Sequence, residues 1–120
     1  MAEFERIRVE EAGDVTIVRF RDRRFGGIIE IEKLGQEFYQ LIEGGKRRKV
    51  MIDFTSVELF SSAGFGKLLV LNAKLKTCNG MLRLFNIPPH ILEVFHVCKL
   101  DQIFDIRKDE ADALSGFYVG

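Results

Sequence analysis

The chain has 120 residues and 13.8 kDa, 47% hydrophobic and 30% charged, with eighteen basic residues balancing eighteen acidic ones. That length suits one domain, and the apolar fraction excludes wholesale disorder. Zero net charge argues against direct nucleic-acid binding, and no apolar run approaches the ~18–20 residues of a membrane span. The opening Met1-Ala2-Glu3-Phe4-Glu5-Arg6 is acidic and polar where a secretory signal is basic and then apolar, so a cytoplasmic location is expected.

The elements follow from periodicity. Alternation around Ile7 and Val9, a Gly-containing loop, and Val15–Phe20 predict an antiparallel hairpin, ended by Arg21-Asp22-Arg23-Arg24 and Gly26-Gly27. From Glu30 the period changes. Ile31, Leu34, Phe38, Leu41 and Ile42 form one stripe of an amphipathic helix closed by Gly44-Gly45. Lys49–Phe54 is near-continuously apolar, as a strand covered on both faces requires.

A second helix is expected over Ser62–Lys76, with Phe65, Leu68, Leu69, Asn72 and Leu75 inward and Asn79-Gly80 as its stop. Met81–Phe85 reads as the next strand. Pro88-Pro89 opens a third helix with Ile91, Leu92, Phe95 and Cys98 inward. A final strand is expected within Asp101–Ile106. Asp109 then caps a last turn through Leu114, and Ser115–Gly120 reads as a loose tail. Strands alternating with helices predict an α/β fold: a single domain over residues 1–120, its core at about 4–114, with a mixed central sheet, an N-terminal hairpin and βα crossover units.

Little in the composition supports catalysis. Cys78 and Cys98 form no Cys-x-x-Cys pair and read as reduced, largely buried thiols. His90 and His96, six apart, lie about 240° apart around a helix and cannot share a metal from one face. Eleven of thirteen aromatics are Phe, which is core material. The runs Arg19–Arg24 and Lys46–Lys49 have acidic neighbours and read as solvated faces. Asp53, ending its strand, is expected to be buried and to cap the Ser56 or Val57 amide.

One segment departs from packing logic: Leu59-Phe60-Ser61-Ser62-Ala63-Gly64-Phe65-Gly66-Lys67. Two hydroxyls and two glycines fall at a helix start, where free amides and the dipole favour negative charge. It is not a P-loop, since Ser61 and Leu68 stand where Gly and Ser/Thr are needed. It is not a dinucleotide fingerprint, which Leu69 breaks, nor a nucleophile elbow, which Phe60 breaks. No catalytic residue, metal site or cofactor is expected, and Ser61 or Ser62 as a plain helix cap is the simplest role.

The run Met51–Leu69, with Asp53-Phe54-Thr55 ending its strand and Ser61-Ser62-Ala63-Gly64-Phe65-Gly66 opening its helix, resembles the STAS domain family, the anti-sigma factor antagonists. The likeness continues through Asn79–Ile87 and Val94–Phe104 and covers about Phe4 to Leu114. It implies a phosphoacceptor at Ser62, with Ser61 at the family's acidic position and as an alternative acceptor. Ala63 stands at the family's second hydroxyl, and Gly64 and Gly66 match its glycines. Contacts to a partner are then expected from Phe25, Phe60, Ser61, Ala63 and Gly64, flanked by the altered segment Arg24–Ile29. The implied partner is an anti-sigma factor that is also a serine kinase of the histidine-kinase-like ATPase family, bound when Ser62 is unmodified and released by its phosphorylation. The other reading is a non-switching STAS module, as in accessory subunits of lipid-transport ATPases or stress-signalling scaffolds.

Overall fold

The computed structural model describes residues 4–117. Strands β1 (Ile7–Ala12) and β2 (Val15–Phe20) form the expected antiparallel hairpin, pairing Ile7 with Phe20 and Ala12 with Val15. Its two-residue turn has Gly13 at φ 65°, the left-handed conformation that a first turn position of this kind demands. Next come β3 (Arg24–Phe25), α1 (Ile28–Glu43), β4 (Lys49–Asp53), β5 (Leu59–Phe60), α2 (Ser62–Thr77) and β6 (Met81–Phe85). The chain continues through α3 (Pro89–Val97), a 3-10 turn (Leu100–Gln102), β7 (Asp105–Arg107) and α4 (Glu110–Ser115). The main sheet has the order β1-β2-β4-β6-β7, parallel from β2 onward, and β3 pairs in parallel with β5 in a separate two-stranded ribbon.

Strand alternation divides the core in two. Val18, Phe20, Val50, Ile52, Leu82 and Leu84 face α1, α2 and α3. Val15, Ile17, Met51 and Phe85 face the other way, onto Ala113 and Phe117 of the α4 segment. This explains why β4 reads as continuously apolar: both its faces are covered. All five residues of the α1 stripe are buried, as are Phe65, Leu68, Asn72 and Leu75 of α2, with Leu71 in place of the expected Leu69.

Several expectations are corrected. Residues 101–104 are not strand: Lys99 takes a left-handed φ of 58° and starts a 3-10 turn, so β7 begins only at Asp105. On α3, Ile91 and Phe95 are buried, but Leu92 and Cys98 face solvent because nine residues offer only two inward turns. Cys78 is half-buried, so neither thiol is a core residue. Ser115 closes α4 and Phe117 is buried, so the tail does not start at Ser115; residues 118–120 lie outside the described residues. Asp109 does cap α4, accepting from the Asp112 amide at 2.9 Å. No described helix is long and apolar enough to cross a membrane.

Candidate functional site

The ribbon β3–β5 positions the site. It sets Phe25 beside Phe60, and the Ser61 amide donates to the Phe25 carbonyl at 2.9 Å. α1 begins three residues after the end of β3 and α2 two after the end of β5, so the two helix starts emerge at the same end of the ribbon. The sequence reading missed this ribbon because two-residue strands carry no periodicity. The loop before β5 is tied down by the Glu58 and Leu59 amides, which donate to the Arg23 carbonyl at 2.6 and 3.2 Å. His90 Nε2 lies 2.6 Å from the Glu58 carbonyl, and that contact requires the Nε2–H tautomer to donate.

The ribbon also settles where the Phe side chains go. Phe25 is 0% exposed and Phe60 8%, so neither expected contact residue offers its ring to a partner. Phe60 packs against Phe20, Phe25, Phe54 and Phe65 with centroids 5.3 to 6.1 Å apart, edge to face, an arrangement the ring quadrupole favours. The same ring explains Gly64, which is buried: a Cβ there would lie 2.7 Å from the Phe60 ring. Gly66 is exposed, and a Cβ there would meet nothing within 4 Å.

What faces solvent is a different set. Ser62 and Ala63 are exposed in the first turn of α2, where their amides have no acceptor one turn back. Ser61 is the N-cap residue, yet its side chain makes no capping bond. Its Oγ is buried without a hydrogen-bond partner among the described residues. Neither serine therefore fills the helix-cap role that sequence alone suggests. The first turn of α2 contains no acidic side chain, and Lys67, one turn on, is engaged by Glu32 at 2.8 Å. At the same end of the ribbon the α1 start presents Ile28 and Ile29, 80% and 73% exposed, and Leu59 packs against Gly26. The exposed apolar side chains at this end are therefore Ile28, Ile29 and Leu59, while Phe25 and Phe60 are buried. The Gly26-Gly27-Ile28-Ile29 spelling signals the exposed pair, since it precedes the buried α1 stripe.

Asp53 ends β4 on the α4 side of the sheet. Burial alone would raise its carboxyl, but bonds from the Thr55 hydroxyl and amide, Arg19 (2.6 Å) and Asn86 outweigh this and hold it below the usual carboxylate range. It therefore caps Thr55, not Ser56 or Val57; the Val57 amide donates to the Phe54 carbonyl instead. Arg19 is the hub, also binding Glu10 at 3.1 Å and Glu110 at 2.7 Å, so it is not a solvated-face arginine. Arg47 pairs with Glu11 and Lys49 with Asp14, so the second basic run is largely spent on the fold. Among the described residues no group of three His, Cys, Asp or Glu could hold a metal ion.

Comparison with known proteins gives a consistent picture. The STAS domain family model matches residues 6–113. Over 86 residues the chain is 30% identical to BtrV of Bordetella bronchiseptica, which carries the name of an anti-sigma factor antagonist; the match spans 72% of this chain and 73% of that one. The structure of an anti-sigma-factor antagonist (STAS) domain protein from Planctomyces limnophilus superposes with a TM-score of 0.79 at 27% identity, over 92% of this chain and 95% of that one. The fold is also that of the Bacillus cell fate determinant SpoIIAA in its phosphorylated form, at a TM-score of 0.68 and 19% identity, over 92% and 98% of the two chains.

Proposed function

The chain belongs to the STAS domain family, and from that premise we propose that it works as a phosphorylation-controlled anti-sigma factor antagonist in the cytoplasm. The partner is an anti-sigma factor with serine-kinase activity of the histidine-kinase-like ATPase type, which supplies the nucleotide. The contact surface is the paired start of α1 and α2: Ile28, Ile29 and Leu59 give apolar area around the small Ser62 and Ala63. The observation that carries this reading is the exposure of Ser62 at the first turn of a sixteen-residue helix, at the same end of the ribbon as that apolar patch and with no acidic side chain in the turn.

Phosphate on Ser62 would add about −1.5 to −2 charges where free amides and the helix dipole accept them, so the fold tolerates it. A partner packed on Ile28 and Ile29 would have to desolvate the same charge, with a penalty of ~2–5 kcal/mol where no countercharge meets it. One position is thus neutral for folding and decisive for binding. Ser61 stands where the family has an acidic residue, and this favours the second reading, a non-switching scaffold or transporter-accessory module.

The test is titration of the anti-sigma factor against Ser62→Asp and Ser62→Ala, with phosphate mapped by mass spectrometry after incubation with the kinase and ATP. Ser62→Asp should melt within a few degrees of wild type and lose binding; Ser62→Ala should bind and take no phosphate. Phosphate on Ser61 alone would move the acceptor by one residue. Undiminished binding by Ser62→Asp would reject the switch and leave the scaffold reading.

A further inference from the structure

The two edges of the main sheet are treated very differently. β7 is only three residues long, and its Arg107 is paired with Asp105 and Asp112. β1 is six residues long, without proline or bulge, and forms the other edge. The Arg21 amide donates to the Arg6 carbonyl, so by the two-residue alternation of antiparallel pairs Arg8, Glu10 and Ala12 bond to β2. Ile7, Val9 and Glu11 then direct their backbone groups outward. Among the described residues one of these is met from within the chain: Arg21 Nε donates to the Ile7 carbonyl at 2.9 Å, leaving its second lone pair. Alongside this edge runs a groove of about 800 Å³ between β1 and the second half of α1, floored by Ile7, Val9 and Leu41 and rimmed by Arg21 and Arg47.

The charges along β1 are ordered. Its first half carries Arg8, with Arg6 just before it, and its second half carries Glu10 and Glu11. Scattered charge blunts an edge, whereas charge ordered in this way complements its own reversed copy. We propose that the free edge of β1 is a self-association surface, on which a second copy of this chain pairs antiparallel about Val9. In that register Val9 meets Val9 of the second copy as a hydrogen-bonded pair, which is the parity the outward groups require. Arg8 faces Glu10 of the second copy on one side of the sheet. On the other side Ile7 faces Glu11 of the second copy, next to Arg21. The two-fold axis repeats each contact and consumes both edges, so assembly stops at a dimer with a continuous ten-stranded sheet. None of these residues belongs to the Ser62 segment, so the surface is independent of the switch.

Sedimentation of the full chain over a wide concentration range tests this, with circular dichroism checking that each variant is folded. Wild type should pass from monomer to dimer. Arg8→Glu and Glu10→Lys each turn both Arg8–Glu10 pairs repulsive and should raise the dimer dissociation constant roughly tenfold or more. Mixed in equal amounts they should dimerise again, because each variant then meets its complement. Val9→Pro, which removes an outward amide and none from the ladder, should also be monomeric. A wild type that stays monomeric into the high micromolar range overturns the proposal. So does a dimer indifferent to Arg8→Glu and Val9→Pro, or a mixture of the two charge variants that stays monomeric.

Discussion

Gly64 and Gly66 lie in the same helix turn, and their surroundings separate their roles. Gly64 is where the Phe60 ring presses on α2, and that ring is held by four other phenyl groups and cannot yield cheaply. Gly64→Ala should therefore destabilise by about 1–3 kcal/mol, the usual range for overpacking, in a urea titration. Gly66→Ala meets open space inside a helix and should stabilise by roughly 0.5–1 kcal/mol, as alanine does over glycine there. If the partner lies on this turn, the same Gly66→Ala should weaken its binding while strengthening the fold. Ser61 gives a third case. An N-cap serine normally contributes ~1 kcal/mol, but this one makes no cap bond and buries an unpartnered oxygen. Ser61→Ala should thus leave the urea midpoint within about 0.5 kcal/mol of wild type. A loss of the full cap value would mean that the hydroxyl bonds to an α2 amide in solution.

At the scale of elements, α4 holds more than its six residues suggest. Its segment buries Ala113 and Phe117 on the sheet, and it is pinned by two arginines. Arg19 reaches Glu110, and Arg83 donates to the Ala113 carbonyl at 2.9 Å and to Asp105 at 3.0 Å while lying 4.4 Å from the Phe117 ring centre. Gly116 makes room for this, since a Cβ there would fall 1.7 Å from the Arg83 guanidinium. Phe117→Ala should cost about 3–5 kcal/mol, and hydrogen exchange should show α4 opening before the parallel strands. None of this was legible from local pattern, because Phe117 follows a short helix and its partners Arg83 and Val15 are distant in sequence. The long elements were legible because each stripe recurs over several turns, as Ile31–Ile42 does in α1. The β3–β5 ribbon was not, which is why Phe25 and Phe60 read as surface: their burial depends on a pairing between residues 35 positions apart. Ser62 as the proposed acceptor came from resemblance, whereas Ile28 and Ile29 enter the proposed surface only because the ribbon brings the two helix starts to one end.

At the scale of the whole molecule, zero net charge hides a network of ion pairs ranging from the nearly buried Asp53 to the half-exposed Glu10 and Asp105. Asp53 and Asp105 are held below the ordinary carboxylate range although burial opposes it, the first by Thr55, Arg19 and Asn86, the second by Arg107 and Arg83; Glu10 is lowered by Arg19. A carboxylate whose folded pKa is depressed binds fewer protons than in the unfolded chain. Its stabilisation is therefore complete above the unfolded values of ~4 and is lost as pH falls through the folded ones. Urea midpoints should be flat near neutrality and fall steeply below about pH 4. Asp53→Asn should be less stable at pH 7, with the gap narrowing as the medium is acidified; a constant gap would show that the charge of Asp53 does not matter. The uneven covering of the sheet has a further consequence during synthesis. Three helices close one face before β7 exists, but Val15, Ile17, Met51 and Phe85 wait for a segment translated after them all. At ~5–20 residues per second, the nascent chain carries that bare apolar strip for several seconds between the emergence of β2 and of α4. Ribosome-bound chaperones would meet this domain on that face, the one turned away from α1, α2 and α3.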